Sequence, residues 1–190
     1  MNGQTARQMA EADRLSVVSG LSVIELMDRS AVAREIGLRW TARPVIVLCG
    51  PGDNGGDGFV AARRFVEAGW PVALLGSRES LKGAASHHAQ LWQGQVETLS
   101  PAVLDGAELV VDAIFGSGLT RKLGGSAAET LAAAAGKRLE LVAADVPCGL
   151  MGDTGEALGA QTTVYPMREA NRALADLRAR RFKGGAVLVP

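Results

Sequence analysis

Cys49-Gly50-Pro51-Gly52-Asp53-Asn54-Gly55-Gly56-Asp57-Gly58 is the stretch from which the fold of this chain is predicted. It follows a short apolar, β-branched run at 44–48 and precedes residues 59–66, where apolar residues recur at helical spacing. A strand, a glycine loop and a helix in that order are typical of a phosphate-binding loop, because glycines let backbone N–H groups converge and a helix N-terminus attracts negative charge. The stretch therefore predicts an anion-binding loop.

Length and composition favour one globular, soluble domain. The chain has 190 residues, 47% of them apolar, which is enough to bury one core. Its 20 basic and 20 acidic residues cancel, so neither a nucleic acid nor a membrane is expected as a partner. Two cysteines give no disulfide framework, and the sequence shows no leader pattern and no apolar run of membrane-spanning length. We expect an unprocessed cytoplasmic protein that binds a small neutral or anionic ligand.

Strands and helices are predicted to alternate along the chain. Two helices precede the first strand, one over 5–13 and one that begins at Ser22, where Ser22 and Glu25 form a capping-box pattern. The pattern predicts a Rossmann-like, doubly wound, mostly parallel α/β sheet with helices on both faces. Further strands are predicted at 72–75, 96–99 (weak), 109–116 and 139–145, and further helices at 81–92 and 126–135.

His87 and His88 lie next to each other in the helix predicted over 81–92. Adjacent residues do not share a helix face as i,i+4 metal ligands would, and no cysteine or carboxylate cluster accompanies them. We expect both histidines to face solvent without a chemical role.

Carboxylates stand near the C-terminal ends of two predicted strands, Asp112 in 109–116 and Asp145 in 139–145. The loop 116–122 after the first of these strands contains glycines, hydroxyls and cations, which suit phosphate oxygens. Because the carboxyl ends of parallel strands meet at one edge, we expect these groups to gather there with Asn54 and Asp57 around a ligand. Each has a structural interpretation as well: the carboxylates can cap the turns that follow them, and the loop can be a solvated surface segment.

Three blocks of the sequence resemble the signature of one family. They are residues 50–58, 111–119 and 145–150, the last followed by Asp153-Thr154-Gly155, and their order and spacing are similar to those of the NAD(P)HX epimerases, the YjeF N-terminal domain family. The resemblance covers residues 5–160. It implies a metabolite-repair isomerase that interconverts the R and S forms of hydrated NADH or NADPH, so that a partner dehydratase specific for one epimer can restore the cofactor.

The resemblance also implies a site. A potassium ion would be held by Asn54, Asp112 and Cys148, and no zinc is implied. Asp145 is the candidate catalytic group, because epimerising a carbinol centre needs proton transfer, which a strand-end carboxylate beside a charged ligand can carry out. A homodimer is implied, for which the N-terminal helices offer a surface. Substrate contacts would come from Asp53, Asn54, Gly55, Gly56, Asp57, Gly116, Ser117, Gly118, Leu119, Thr120, Arg121, Lys122 and Asp145.

Two residues differ from the family pattern. Asp53 stands where the family usually has asparagine, which adds negative charge beside substrate oxygens. Cys148 stands where the family has serine, and a neutral thiol is a soft, poor ligand for a hard cation. Both favour an alternative, a non-catalytic dinucleotide- or nucleotide-binding module with a degraded ion site. A P-loop NTPase is excluded because no Gly-Lys-Ser/Thr ending follows the glycines. Whether NADHX or NADPHX is preferred does not follow from the sequence.

The C-terminal segment also differs from the family. We predict that residues 1–160 form the epimerase-like domain and that 161–190 form a strand, an amphipathic helix and a strand that complete the same domain as a substitute sheet edge. Residues 163–190 resemble the extreme C-terminus of zinc-type medium-chain alcohol dehydrogenases, which suggests a composite chain. No zinc ligand or hydride site of those enzymes is present, so this resemblance implies no function.

Overall fold

A four-stranded parallel sheet lies at the centre of the structure, a computed structural model that describes residues 22–119, 122–148, 162–179, 181 and 185–189. The strands run in the order β2-β1-β3-β4. The first strand is central, and its residue Val45 lies opposite Val72 on one side and Leu109 on the other. The four strands are β1 Val45–Cys49, β2 Val72–Leu75, β3 Leu109–Ala113 and β4 Glu140–Ala143.

Helices cover both faces of this sheet, which confirms the predicted three-layer α/β fold. Alternate residues of β1 belong to different cores: Val47 packs with α1 to α4, whereas Leu48 packs with α5 and a short 3₁₀ helix. In the described part of the chain no helix is long and apolar enough to span a membrane. The helices are α1 Val23–Asp28, α2 Val32–Gly37, α3 Asp53–Glu67, α4 Gly83–Gln90, α5 Gly125–Gly136 and α6 Ala170–Arg178, with 3₁₀ helices at Pro101–Leu104 and Met167–Glu169.

The capping box predicted at the start of α1 is confirmed. The Ser22 hydroxyl accepts a hydrogen bond from the Glu25 backbone N–H at 3.2 Å, and the Glu25 carboxylate accepts one from the Ser22 N–H at 2.9 Å. These bonds satisfy two backbone donors that a helix start leaves free. The helix predicted over 5–13 lies outside the described residues.

Helix α3 begins at Asp53, inside the glycine stretch, so the prediction of a loop through residue 58 is wrong. The glycines of α3 are explained by packing. A Cβ at Gly56 would lie 2.6 Å from the Met27 sulfur and 2.7 Å from the Ala85 Cβ. The absence of a side chain therefore lets α3 approach both α1 and α4.

Gly58 allows a similarly close approach between α3 and the sheet. A Cβ there would lie 2.6 Å from the Cys49 sulfur and 2.8 Å from the Ala113 Cβ. These two residues end β1 and β3, so α3 lies directly on the paired ends of the two central strands.

His88 does not face solvent, which corrects one prediction, whereas His87 is exposed as predicted. The imidazole of His88 is 1% exposed, with Nε2 3.0 Å from the Ile24 carbonyl oxygen and Nδ1 3.4 Å from the Arg63 guanidinium. Arg63 also binds the Asp28 carboxylate at 2.9 Å. His88 thus joins α4 to α1 and α3.

The segment near residue 97 forms less strand than predicted. Its one bridge pairs Leu75 with Glu97, and the Gly76 N–H donates to the Glu97 carbonyl at 2.7 Å. This bridge holds residues 97–99 beside the end of β2.

The C-terminal segment forms the predicted strand, helix and strand, but not the substitute edge. β5 (Thr162–Pro166) and β6 (Gly185–Val189) pair in parallel, and among the described strands they form a two-stranded sheet of their own. The Tyr165 hydroxyl donates to the Asp176 carboxylate at 3.0 Å, which ties β5 to α6. In the described residues, β5, β6 and α6 pack on one another, so these contacts stabilise the segment as a unit of its own. The predicted domain boundaries remain a prediction.

We predict that Gly58→Ala lowers the free energy of unfolding by about 1–3 kcal/mol, because the new methyl group must displace neighbours from a close-packed core. Urea unfolding followed by circular dichroism measures the change. Gly37→Ala is the matched control: nothing lies within 4 Å of a Cβ at Gly37, so the change is neutral or stabilises by up to ~1 kcal/mol. Equal stability of the two variants would contradict the packing role of Gly58.

Candidate functional site

The carboxyl ends of β1 and β3 form the topological switch point of the sheet. From β1 the chain passes to β2 on one side, whereas β3 and β4 lie on the other. The loops after β1 and β3 therefore diverge and leave a crevice, which is where open parallel sheets bind ligands. The Gly50 N–H donates to the Ala113 carbonyl at 3.0 Å, and a Cβ at Gly50 would overlap the Ile114 carbonyl. Only glycine fits at this crossing.

Two cavities open at this switch point, of about 580 Å³ and about 300 Å³. Both volumes are in the range of small-molecule sites. Three residues of the loop after β3 line both cavities, so they separate the two spaces: Ile114, Phe115 and Leu119. The larger cavity is also lined by Cys49, Gly50, Pro51, Gly76, Ser77, Ser80, Thr98, Leu99, Lys122, Leu123, Gly124, Ser126 and Ala127, and the smaller one by Gly52, Asp53, Asn54, Gly116 and Gly118.

Two helix N-termini face these cavities. Gly52 is the N-cap of α3 and lines the smaller cavity, and Gly124 is the N-cap of α5 and lines the larger one. Neither glycine has a side chain that could accept hydrogen bonds from the first helical turn. Uncapped N–H groups and the helix dipole attract anions, and at the smaller cavity the Asp53 carboxylate opposes this attraction.

Asp112 joins the end of β3 to the loop after β4. Its carboxylate is 1% exposed and accepts hydrogen bonds from the Ile114 N–H at 3.2 Å and the Cys148 N–H at 2.8 Å. Burial raises the pKa of Asp112, and these hydrogen bonds oppose the rise. Ile114 lines both cavities, so the carboxylate lies directly behind the wall they share.

The Cys148 thiol is bound to the backbone of Phe115. The Phe115 N–H donates to the sulfur at 3.3 Å, and the sulfur lies 3.6 Å from the Phe115 carbonyl oxygen, to which it can donate. Burial and the negative charge of Asp112 raise the pKa of Cys148. The group is therefore a neutral thiol near pH 7.

Asp145 approaches the loop after β3 from the loop after β4. Its exposed carboxylate accepts a hydrogen bond from the Ser117 N–H at 2.7 Å and occupies the space that a Cβ of Gly116 would fill. Gly116 lines the smaller cavity. The absence of a side chain at Gly116 thus lets Asp145 lie against the cavity wall.

Comparison with known proteins agrees with this arrangement. The model of the family described as YjeF-related protein N-terminus matches residues 21–166. The chain belongs to this family. A crystal structure of the yeast protein YNL200c has a similar fold, with a TM-score of 0.63 at 21% identity over 86% of this chain and 80% of that one.

Several curated relatives of this family member have similar sequences. It is 35% identical over 163 residues to an NAD(P)H-hydrate epimerase of Limosilactobacillus fermentum, covering 82% of this chain and 78% of that enzyme. It is 37% identical over 162 residues to an NAD(P)H-hydrate epimerase of Rhodobacter capsulatus, covering 76% of each. It is 38% identical over 161 residues to a bifunctional NAD(P)H-hydrate repair enzyme of Coxiella burnetii, covering 80% of this chain but only 33% of that protein.

The residues predicted from the sequence of this YjeF-related chain are distributed unevenly around the cavities. Asp53, Asn54, Gly116, Gly118 and Leu119 line the smaller cavity, and Leu119 and Lys122 line the larger one. Gly55, Gly56, Asp57, Ser117 and Asp145 line neither cavity, and Thr120 and Arg121 lie outside the described residues. Substrate contact at these positions remains a prediction.

The predicted ion ligands are brought only partly together. Asp112 and Cys148 are hydrogen-bonded, and Asn54 lines the smaller cavity, which Ile114 connects to Asp112. The side-chain nitrogen of Asn54 is buried and has no hydrogen-bond partner among the described residues. No group of three or more His, Cys, Asp and Glu side chains in the described ranges could hold a metal, so a cation would also need amide or carbonyl oxygens.

The sequence reasoning missed the hydroxyl groups of the larger cavity, at Ser77, Ser80, Thr98 and Ser126. Gly76-Ser77 follows β2 directly, as Gly50-Pro51 follows β1, and that repeated strand-glycine pattern could have indicated the first of them. Thr98 has no such signal, because it reaches the cavity only through the bridge between Leu75 and Glu97.

We predict that Asp112→Ala lowers the free energy of unfolding by about 2 kcal/mol or more, since it leaves the buried N–H groups of Ile114 and Cys148 without their acceptor. Asp105→Ala is the control, because it removes only an exposed ion pair with Lys137 and should change stability by less than about 1 kcal/mol. Thermal and urea unfolding compare the two. A loss at Asp112 no larger than at Asp105 would show that the carboxylate does not hold the two loops.

Proposed function

We propose that this protein is an NAD(P)H-hydrate epimerase, an isomerase of metabolite repair that interconverts the R and S forms of hydrated NADH and NADPH. The observation that carries the proposal is the crevice between β1 and β3, where two uncapped helix N-termini face cavities and the Asp145 carboxylate lies against the wall of one of them. The relatives named NAD(P)H-hydrate epimerase support it, because this chain spans about three quarters of their length.

A hydrated dinucleotide fits the charges of this crevice. Its pyrophosphate is an anion, and the helix N-terminus at Gly124 provides N–H groups and a positive dipole end for it. Lys122 is exposed at the larger cavity and has no ion-pair partner among the described residues, so its ammonium group is available to phosphate.

We infer that Asp145 transfers the proton. The hydroxyl-bearing carbon changes configuration only when a bond to it breaks and forms again, which needs a group that accepts and returns a proton. The Ser117 N–H binds one carboxylate oxygen of Asp145 and orients it. The other oxygen has no hydrogen-bond partner within the described residues and is available to the substrate.

The chain offers two suitable ligands for the potassium ion of this family. Asp112 is a buried carboxylate whose described partners are the N–H groups of Ile114 and Cys148 and the Cys148 thiol, with no cation among them. Turning the Asn54 amide about its last bond would exchange the unpartnered nitrogen for the oxygen, and oxygen is the ligand that hard cations prefer. Cys148 does not fit this role, because its neutral sulfur is a soft donor. When bound, the ion would balance the charge of Asp112 and attract substrate oxygens.

A dehydration step is linked to the proposed epimerisation. The relatives named bifunctional NAD(P)H-hydrate repair enzyme are longer, and this chain spans 33% and 31% of two of them. We propose that a dehydratase partner uses the epimer that this chain supplies. A homodimer in the cytoplasm is part of the same proposal.

We predict that the protein speeds the approach to equilibrium from a single NADHX epimer, followed by separation of the two epimers. Asp145→Asn should lower this activity by about 100-fold or more, because the amide cannot accept the proton. Gly116→Ala should also lower it, since the new methyl group displaces the Asp145 carboxylate.

Asp105→Asn, outside the crevice, is the matched control and should keep the activity. No acceleration by the wild-type protein, or equal activity of the Asp145 and Asp105 variants, would contradict the proposal. The first outcome would favour a non-catalytic nucleotide-binding module, for which Cys148 in the ion site is the specific argument.

We predict that Cys148→Ser raises the affinity for potassium, because a hydroxyl oxygen replaces the soft sulfur next to Asp112. Thermal unfolding measured against increasing potassium chloride gives the affinity, with choline chloride at equal ionic strength as the control. The variant should reach its full rise in Tm at a lower potassium concentration. Identical potassium curves for both proteins would show that Cys148 does not weaken the ion site.

A further inference from the structure

The turn after β2 brings a hydroxyl group to the crevice. β2 pairs with β1 so that Leu75 lies opposite Leu48, and the next residue, Gly76, lies against the end of β1. A Cβ at Gly76 would be 2.5 Å from the Cys49 carbonyl oxygen, so the turn is held close to the switch point. Ser77 follows and lines the larger cavity.

This position distinguishes the two kinds of dinucleotide in parallel nucleotide-binding sheets. An Asp or Glu near the end of the second strand binds the ribose 2′-hydroxyl of NAD, and its charge repels a 2′-phosphate. An arginine near the same place accommodates the 2′-phosphate of NADP. The turn here is Gly76-Ser77-Arg78, so it has a hydroxyl and a cation in place of the carboxylate.

The other polar side chains of the larger cavity are also hydroxyls or cations. Its described lining includes the hydroxyls of Ser77, Ser80, Thr98 and Ser126 and the ammonium group of Lys122, and no Asp or Glu. The smaller cavity, in contrast, is lined by Asp53. Phosphate groups are therefore favoured in the larger cavity, and the uncharged hydrated nicotinamide is favoured in the smaller one, near Asp145.

Arg78 adds a positive charge next to Ser77 in the chain. Its guanidinium donates to the carbonyl oxygens of Trp92 and Gly94, each at 3.0 Å, and contacts no carboxylate in the described part of the chain. The neighbouring acidic residue Glu79 does not line the cavity, nor does Glu97, which precedes Thr98. The positive charge next to Ser77 is thus held in place without being neutralised.

Resting on the proposed function, we propose that the larger cavity binds the adenosine half of the substrate and that Ser77 makes the site selective for the 2′-phosphorylated form, hydrated NADPH. The hydroxyls of Ser77, Ser80 and Thr98 donate to the 2′-phosphate, and Arg78 attracts it. The pyrophosphate lies at the N-terminus of α5, beside Lys122.

Isothermal titration calorimetry of the full chain with NADP⁺ and with NAD⁺ tests this selectivity. The wild-type protein should bind NADP⁺ about tenfold or more tightly than NAD⁺. Ser77→Asp should remove or reverse this ratio, because the new carboxylate repels the 2′-phosphate and accepts from the 2′-hydroxyl. Ser80→Asp, in the same turn, should also lower the preference for NADP⁺ over NAD⁺. It replaces Ser77→Asp as the test variant if Ser77→Asp does not fold.

Ala42→Asp is the matched control. It adds the same charge at an exposed residue three positions before β1, at the opposite end of the sheet, and should leave the binding ratio unchanged. The proposed selectivity is overturned if the wild-type protein binds NADP⁺ and NAD⁺ equally well or binds neither. It is also overturned if the Ser77 and Ala42 variants change the binding ratio equally.

The binding ratio is measured separately from epimerase activity, so the selectivity and the proposed function can fail separately. Preference for NADP⁺ without epimerisation of NADHX or NADPHX would overturn the proposed function and keep the selectivity. Epimerisation at equal efficiency with both substrates, together with equal binding of the two probes, would overturn the selectivity and keep the proposed function.

Discussion

The backbone contact between Gly50 and the end of β3 is the constraint on which the site depends. The Gly50 N–H donates a hydrogen bond to the Ala113 carbonyl, and the Ile114 carbonyl leaves no room for a Cβ at Gly50. The loops after the two central strands are therefore in direct contact. Gly55, one turn into α3, in turn has no room for a Cβ against the Gly50 backbone. A side chain at either position would push α3 away from the strand ends and open the crevice.

A second set of contacts holds the other side of the crevice. The Asp112 carboxylate accepts hydrogen bonds from backbone N–H groups in the loops after β3 and β4. The Asp145 carboxylate accepts one from the Ser117 N–H. Two carboxylates from neighbouring strands thus have different environments: Asp112 is buried and holds loops together, whereas Asp145 is exposed and oriented. The proposed ion binding at Asp112 and the proposed proton transfer by Asp145 rest on this difference.

The two cavities differ in charge, and that difference organises the proposed binding mode. The larger cavity contains hydroxyls, an ammonium group and the N-terminus of α5, and the smaller contains Asp53 and Asn54 at the N-terminus of α3. A dinucleotide with a 2′-phosphate at the adenosine end, a pyrophosphate in the middle and an uncharged hydrated ring at the other end matches this polarity in the proposed orientation. Asp53, which differs from the usual family asparagine, strengthens the contrast.

Local sequence determined the four strands of the main sheet, the capping box at Ser22 and the positions of Asp112 and Asp145, because apolar runs, helix capping and strand ends are signals read within a few residues. Only the tertiary structure decided which residues these elements contact. The same glycines that predicted a loop are packing positions in α3, and His88 is buried because α4 lies against α1 and α3. β5 and β6 pair with each other and not with the main sheet, and Thr98 reaches the cavity through a bridge to β2. Each of these outcomes depends on contacts between segments far apart in the chain, and no local pattern records which distant residue will fill the space beside a given one.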